Sequence, residues 1–193
     1  MKIWVYSPIA LKASVTGGKH GDGSVCTEAS CCQAYLTEEE YRTKGGADDA
    51  IEKIRTAVNA TSGYVLTYEG SLIEATYFSC SGGKTEDAVA VWGTSVPYLK
   101  SVDSPGEEQA AHFKDSFIFP INTFCRQLGI TRESVIRDDD LKLSYTEGNG
   151  VDKLRIGDEE FSGTQLRTLL SLPSTYFTIS VQDDEVFINT RGY

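Results

Sequence analysis

Apolar and polar residues alternate along this chain with two different periods, and the changes of period mark its elements. Ile51, Ile54 and Val58 follow Asp48-Asp49 at helical intervals, which makes one apolar stripe and predicts a helix near residues 48–60 that ends at Gly63. Just before it, Thr37 and Glu40 have the spacing of a capping box. Residues 64–68 and 72–78 are rich in β-branched and aromatic side chains, and Glu69-Gly70 between them is a short turn signal, so the pattern predicts a hairpin. Farther along, an apolar stretch at residues 117–121 leads into a short helix over residues 122–128. The segments LKLSY and VDKLRI read as strands on either side of the turn EGNG, and Ser162-Gly163-Thr164 opens a helix carrying Leu166, Leu169 and Leu170. After Pro173, TYFTIS and EVFIN alternate as two strands around Asp183-Asp184. Helices and strands mixed in this way, without a βαβ rhythm, predict an α+β fold of largely antiparallel sheet with a few short helices.

Composition narrows the function classes. The chain has 193 residues, 40% hydrophobic and 24% charged, which is ordinary for a globular domain and excludes disordered and fibrous classes. Eighteen Lys and Arg against twenty-eight Asp and Glu leave a net charge of -10, which argues against nucleic acid as a partner. Residues 1–60 hold seven basic and eight acidic side chains, so the acidity belongs to the rest of the chain. No apolar run approaches the roughly 20 residues of a membrane span, and the first twelve residues lack the apolar core and cleavage site of a signal peptide.

One cluster of residues carries metal chemistry. His20, Cys26 and Cys32 are evenly spaced in a loop rich in Gly, Asp and Ser, with Cys31 beside the last. Imidazole and thiolate are the donors that zinc prefers, and a tetrahedral site needs four. Adjacent side chains diverge, which places Cys32 ahead of Cys31 as a donor. A Cys26-Cys32 disulfide is the other use for these thiols, but it leaves His20 unexplained, and five cysteines in all weigh against a pure disulfide framework. Cys80 and Cys125 sit in strand and helix patterns and read as small buried residues.

A second cluster follows the hairpin. Gly82-Gly83 allow close backbone approach to a ligand, Ser79, Ser81 and Thr85 offer hydroxyls, Lys84, Glu86 and Asp87 offer charge, and Trp92, Pro97 and Tyr98 could form a sugar-stacking wall. The same residues also fit an ordinary turn, a core tryptophan and a solvated charged face. A Ser-His-Asp hydrolase is disfavoured, because the other histidine, His112, stands in no G-x-S-x-G context.

The block GYVLTYEGSLIEATYFSCSGGKTEDAVAVWGTSVPYLKSV, followed by FSGTQLRTLLSLPSTYFTI and VFINTRGY, resembles the SpoIID (stage II sporulation protein D) domain, which the amidase enhancer shares. The resemblance runs from Ala10-Leu11-Lys12-Ala13 to Tyr193. It implies a peptidoglycan lytic transglycosylase acting on glycan strands during forespore engulfment, or a glycan-binding or amidase-enhancing module without catalysis. It assigns substrate binding to Ser79, Ser81, Gly82, Gly83, Thr85, Glu86 and Trp92. The His20, Cys26, Cys32-Gln33 set resembles the zinc set of clostridial-type members, with Cys31 as the further candidate donor. Peptidoglycan strands and a partner amidase are the implied partners. Two departures stand out: Ile9 occupies the place of the first Glu of the family's E-A-L-K-A-Q-A helix, and no catalytic-glutamate segment precedes it. The Gly-His-Gly-rich continuation after R-G-Y is also missing. Residues 1–193 are therefore expected to be one incomplete SpoIID-like domain, with the catalytic residue unassigned, and a membrane anchor and an extracytoplasmic location are implied for the full-length protein only.

Overall fold

A computed structural model describes residues 20, 26–28, 31–32, 35–130 and 136–193. The Ala10-Leu11-Lys12-Ala13 segment, most of the Gly-rich stretch after it and Gln33 lie outside the described residues. The chain divides into two compact units, Met1–Tyr77 and Phe78–Tyr193. Among the described residues, five α-helices and eight strands, all antiparallel where paired, give the expected α+β fold.

In the first unit, helix α1 (Glu38–Thr43) starts at the predicted capping box: Glu40 N–H donates to Thr37 Oγ1 at 3.1 Å, and Thr37 N–H donates to Glu40 Oε2 at 2.8 Å. Helix α2 (Asp48–Ala60) buries Ile51 and carries Asp48 and Asp49 in its first turn, where the exposed N–H groups favour negative charge. Arg55 Nη2 reaches Glu38 Oε1 at 2.7 Å and Arg42 Nε reaches Asp48 Oδ1 at 2.7 Å, tying the two helices together. The arginines are about half exposed and Asp48 mostly so, and each pair therefore adds little to stability. The hairpin is shorter than its pattern predicts. Strands β1 (Thr67–Tyr68) and β2 (Ser71–Leu72) pair for two residues each around Glu69-Gly70, both with positive φ. The turn forms as read, but Tyr64 and Leu66 stay 79% and 64% exposed, so no buried face extends the pairing.

The second unit begins with short helix α3 (Ala88–Trp92), capped by Asp87, whose Oδ1 accepts from Val89 N–H at 2.8 Å. Strand β3 (Lys114–Pro120) runs into helix α4 (Ile121–Leu128). Strands β4 (Leu141–Tyr145), β5 (Val151–Ile156) and β6 (Glu159–Ser162) form one meander. Helix α5 (Gly163–Leu169) starts on a second capping box, Ser162 with Gln165. Strands β7 (Phe177–Gln182) and β8 (Glu185–Arg191) complete a second sheet in the order β3-β8-β7, turning at Asp183-Asp184. The alternation read in TYFTIS and EVFIN is realised in β8, which buries Val186, Ile188 and Thr190. Phe124, Leu154, Leu166, Phe177, Val186 and Ile188 form a fully buried core between the two sheets and helices α4 and α5. Truncating such a side chain to Ala costs about 3–4 kcal/mol.

Candidate functional sites

The metal-type cluster belongs to the first unit. Donor atoms of His20, Cys26, Cys31 and Cys32 all lie within 4.8 Å of one another, so the four could hold a metal ion. His20 Nε2 is 3.4 Å from Cys32 Sγ and 3.7 Å from Cys31 Sγ, and the two sulfurs are 3.8 Å apart. Adjacent cysteines do converge here, contrary to the expectation that they diverge. The reason is a tight turn: the N–H groups of both Cys31 and Cys32 donate to Glu28 O at 3.1 Å, which curls the backbone so that both sulfurs face His20. None of the five cysteines forms a disulfide. The Cys26 thiol is drawn down to about 6, first by a backbone hydrogen bond at Glu28. The Cys31 thiol is pushed up to about 11, chiefly by hydrogen bonds with Cys26 and Cys32. A thiolate at Cys26 is the form that binds metal.

The Ser-Gly-Gly loop belongs to the second unit, and a residue that the sequence reading passed over organises it. Glu107 Oε2 accepts from Ser81 N–H at 2.8 Å, from Ser81 Oγ at 2.7 Å and from Gly83 N–H at 3.2 Å, while Oε1 accepts from Ser104 Oγ at 3.0 Å. Burial pushes its carboxyl up, but the donors from Ser81, Ser104 and Gly83 outweigh that and hold Glu107 below the ordinary carboxylate range. Cys80, buried as predicted, has its thiol pushed up by burial first and by the Glu107 charge in addition, so it is an inert packing group. Beyond the turn the chain pairs with residues 101–104: Thr85 N–H donates to Val102 O and Ser104 N–H to Gly83 O, each at 2.9 Å. From the other side comes the chain end. Tyr193 N–H donates to Cys80 O at 2.9 Å, and a Cβ on Gly82 would lie 3.0 Å from the Arg191 backbone carbon, at a φ of +81° that already favours glycine.

Glu86 points away from this turn. Its Oε1 accepts from Thr146 Oγ1 and from Gly150 N–H, each at 2.8 Å, and its buried Oε2 has no hydrogen-bond partner among the described residues. The EGNG turn is cut to fit it: a Cβ on Gly150 would lie 2.3 Å from Glu86 Oε1, and one on Gly148 2.6 Å from Glu86 Oε2. Nearby, a Cβ on Gly163 would lie 1.8 Å from Val151 O, so only glycine lets α5 start so close to β5. Glu86 thereby lines a small open pocket of about 150 Å³ between α3, β5 and α5.

Of the predicted substrate-binding residues, Ser81, Gly82 and Gly83 are thus the frame of the loop. Thr85 is bonded into the ribbon, donating to Lys100 O at 3.2 Å and accepting from Val102 N–H at 2.9 Å, and Glu86 braces the EGNG turn. Ser79 is exposed, and Trp92, the last residue of α3, is 56% exposed, which excludes the core reading of that tryptophan. Trp92 does not line the pocket; its neighbours Ala90 and Val91 do, with Asp152, Thr164 and Arg167. Glu107 was hidden in an acidic run whose one available signal was the Pro105-Gly106 turn before it.

Comparison with known proteins gives concordant matches. A family model described as stage II sporulation protein (SpoIID) matches residues 6–68. Stage II sporulation protein D of Bacillus subtilis (strain 168) is 31% identical over 187 residues, which is 96% of this chain and 54% of that protein. Its counterpart from Bacillus amyloliquefaciens is 29% identical over the same shares. The amidase enhancer of Bacillus subtilis (strain 168) is 58% identical over 43 residues, 22% of this chain and 6% of that protein. The chain spans about half the length of the sporulation proteins it matches.

Proposed function

We propose that this chain, which is similar to stage II sporulation protein D over nearly its whole length, is a cell-wall module that grips the glycan strands of peptidoglycan during sporulation, within a protein whose chemistry is lytic transglycosylation. The observation that carries this reading is that the similarity extends over 96% of the chain while the blocks behind it meet in one unit: the SGGKTE loop rests on R-G-Y, and its glutamate lines one pocket with residues of the FSGTQLR helix.

Lytic transglycosylation needs one carboxylic acid that protonates the glycosidic oxygen and then takes the proton of the sugar's own 6-hydroxyl as that oxygen attacks. Glu107 is unsuited to this, because its donors keep it ionised. Glu86 is committed to Thr146 and Gly150. Both are therefore supporting residues, and neither is assigned as the catalytic acid. The substrate-facing groups of the loop are Ser79 and Trp92, the exposed members of the set, with Ser81, Gly82, Gly83, Thr85 and Glu86 holding their support rigid.

Zinc is the metal we assign to His20, Cys26, Cys31 and Cys32. In a tetrahedral site with Zn–S of about 2.3 Å and Zn–N of about 2.0 Å, donors stand about 3.5–3.8 Å apart. The separations of 3.4, 3.7 and 3.8 Å among His20, Cys31 and Cys32 match that spacing. Four protein donors leave no open position for a water, so the ion would cross-link its loop and supply no nucleophile. As to location, no helix among the described residues is long and apolar enough to cross a membrane, and extracytoplasmic anchoring is proposed for the full-length protein alone.

A second reading, an amidase-enhancing module, is favoured by the 58% identity to the amidase enhancer. One experiment separates the two. The chain is incubated with amidase-treated glycan strands and, separately, with intact sacculi plus a cell-wall amidase. Strand binding without release of 1,6-anhydro ends and without amidase stimulation is the expected result. Stimulation without strand binding selects the second reading, and neither effect removes both.

A further inference from the structure

The turn that holds Glu86 contains a reactive dipeptide. Of the four asparagines in the chain, Asn149 alone is followed by glycine. It sits in the EGNG turn with a φ of +71°, a left-handed backbone that asparagine tolerates better than most residues. Asn149 is exposed and its side-chain amide makes no hydrogen bond among the described residues, so the amide is unrestrained and open to water. The next residue, Gly150, is buried, and its N–H donates to Glu86 Oε1 at 2.8 Å. Glycine is required there, because a Cβ would collide with that same oxygen, and glycine also leaves its nitrogen unhindered as a nucleophile. Thr146 Oγ1 donates to Glu86 Oε1 at 2.8 Å as well, while Oε2 takes no hydrogen bond among the described residues. A carboxylate thus touches the proton that the Gly150 nitrogen must lose to attack the Asn149 side chain. The other asparagines, Asn59, Asn122 and Asn189, precede Ala or Thr, and Asn189 Oδ1 is held by Ser116 Oγ at 2.7 Å.

We propose that Asn149 is a site of self-modification, with Glu86 as the base for attack of the Gly150 nitrogen on the Asn149 side-chain carbonyl. The bond between Gly150 N and Asn149 Cγ forms as Glu86 Oε1 takes the N–H proton. The Cγ–Nδ2 bond then breaks, the leaving nitrogen takes that proton and departs as ammonia, and Glu86 returns to its carboxylate. The product is a succinimide ring, and water opens it. Attack of water at Cγ gives an ordinary aspartate; attack at the main-chain carbonyl gives isoaspartate, whose backbone runs through Cβ and Cγ. The consequence falls on Glu86. The succinimide has no N–H at residue 150 to donate, and isoaspartate lengthens the backbone of a turn in which a Cβ on Gly148 or Gly150 already has no room against the carboxylate. Both hydrolysis products also add a negative charge beside Glu86. Conversion therefore releases Glu86 from the turn in one direction only, and gives the pocket that Glu86 lines a finite lifetime. It needs no ligand and is independent of the glycan reading.

The test is peptide mapping by mass spectrometry of the whole chain aged at neutral pH, beside the same chain held unfolded in urea and beside Glu86→Gln. The glutamine oxygen can still accept from Gly150 N–H but is no base. The proposal expects the peptide that holds residue 149 to lose ammonia and then to gain the mass of an acid, part of it as isoaspartate that an isoaspartyl methyltransferase labels. Peptides that hold Asn59, Asn122 and Asn189 are expected to stay unchanged. Folded wild type is expected to convert at least about tenfold faster than Glu86→Gln, the lower end of what a positioned base contributes, and faster than its own unfolded chain. The direction of the change separates a base from a brace. If Glu86 only holds the turn still, Glu86→Gln loosens it and converts as fast as wild type or faster, and that result overturns the proposal. Wild type that converts no faster folded than unfolded also overturns it, and this comparison requires no variant to fold.

Discussion

Glu107 Oε2 lies 2.7 Å from Ser81 Oγ, across twenty-six residues of chain, and that contact with its three companions decides the shape of the Ser-Gly-Gly turn. Replacing Glu107 by Gln places an N–H group or a neutral oxygen before donors that face a carboxylate. Glu107→Gln is expected to lower stability by about 2 kcal/mol, discounted for its partial exposure, while Ser81→Ala costs about 1 kcal/mol. Chemical denaturation of the two variants checks the order.

The same carboxylate gives the chain an acid-sensitive element. Its folded pKa is depressed below an unfolded value of about 4.3, so the stability it contributes is fully present above that pH and is lost as pH falls through the folded value. Denaturation midpoints measured from pH 6 down to pH 3 are therefore expected to fall more steeply in wild type than in Glu107→Gln. Parallel curves would remove Glu107 as the cause.

Gly163→Ala is expected to cost about 3 kcal/mol or more, because the new methyl would meet the Val151 carbonyl at 1.8 Å and α5 must move as a body. Gly129→Ala is a useful contrast: its Cβ meets nothing within 4 Å, so its cost is limited to the positive φ of +71°. Thermal unfolding of the pair should rank them in that order.

Zinc analysis of the purified chain is expected to give one equivalent, falling in Cys26→Ser, Cys31→Ser and His20→Ala alike. The loss in Cys31→Ser is the discriminating result, since a three-donor site would keep its metal without that thiol. Protons compete with the metal for the same donors, so retention should weaken as pH falls. Retention unchanged down to pH 4 would contradict the thiolate assignment.

Local features of the fold were legible in the sequence because they are set by neighbours in the chain. The capping box at Thr37 and Glu40, the helix over residues 48–60 and the turn at Asp183-Asp184 all formed where the pattern placed them, although of the stripe Ile51-Ile54-Val58 only Ile51 is buried and Val58 stays exposed. The strands read at residues 64–68 and 72–78 failed beyond two pairs for the opposite reason: β propensity says nothing about whether a face will be covered, and Tyr64 and Leu66 are not. At the sites, residue types were readable and partners were not. His20 and the three thiols stood out by chemistry, yet the convergence of Cys31 with Cys32 depends on a turn closed at Glu28 O. Glu86 stood out by its motif, but its hydrogen bonds to Thr146 and Gly150 span sixty and sixty-four residues, and no local signal announces them. Arg167 read only as part of a family-like block, because its pocket exists only once α5 rests on β5.

Binding to cell-wall glycan is the central claim, and co-sedimentation of the whole chain with purified, amidase-treated peptidoglycan tests it most directly. The account predicts saturable retention in the pellet that soluble N-acetylated chito-oligosaccharides compete away, with no 1,6-anhydro ends released into the supernatant. A chain that stays wholly in the supernatant at all peptidoglycan concentrations contradicts it.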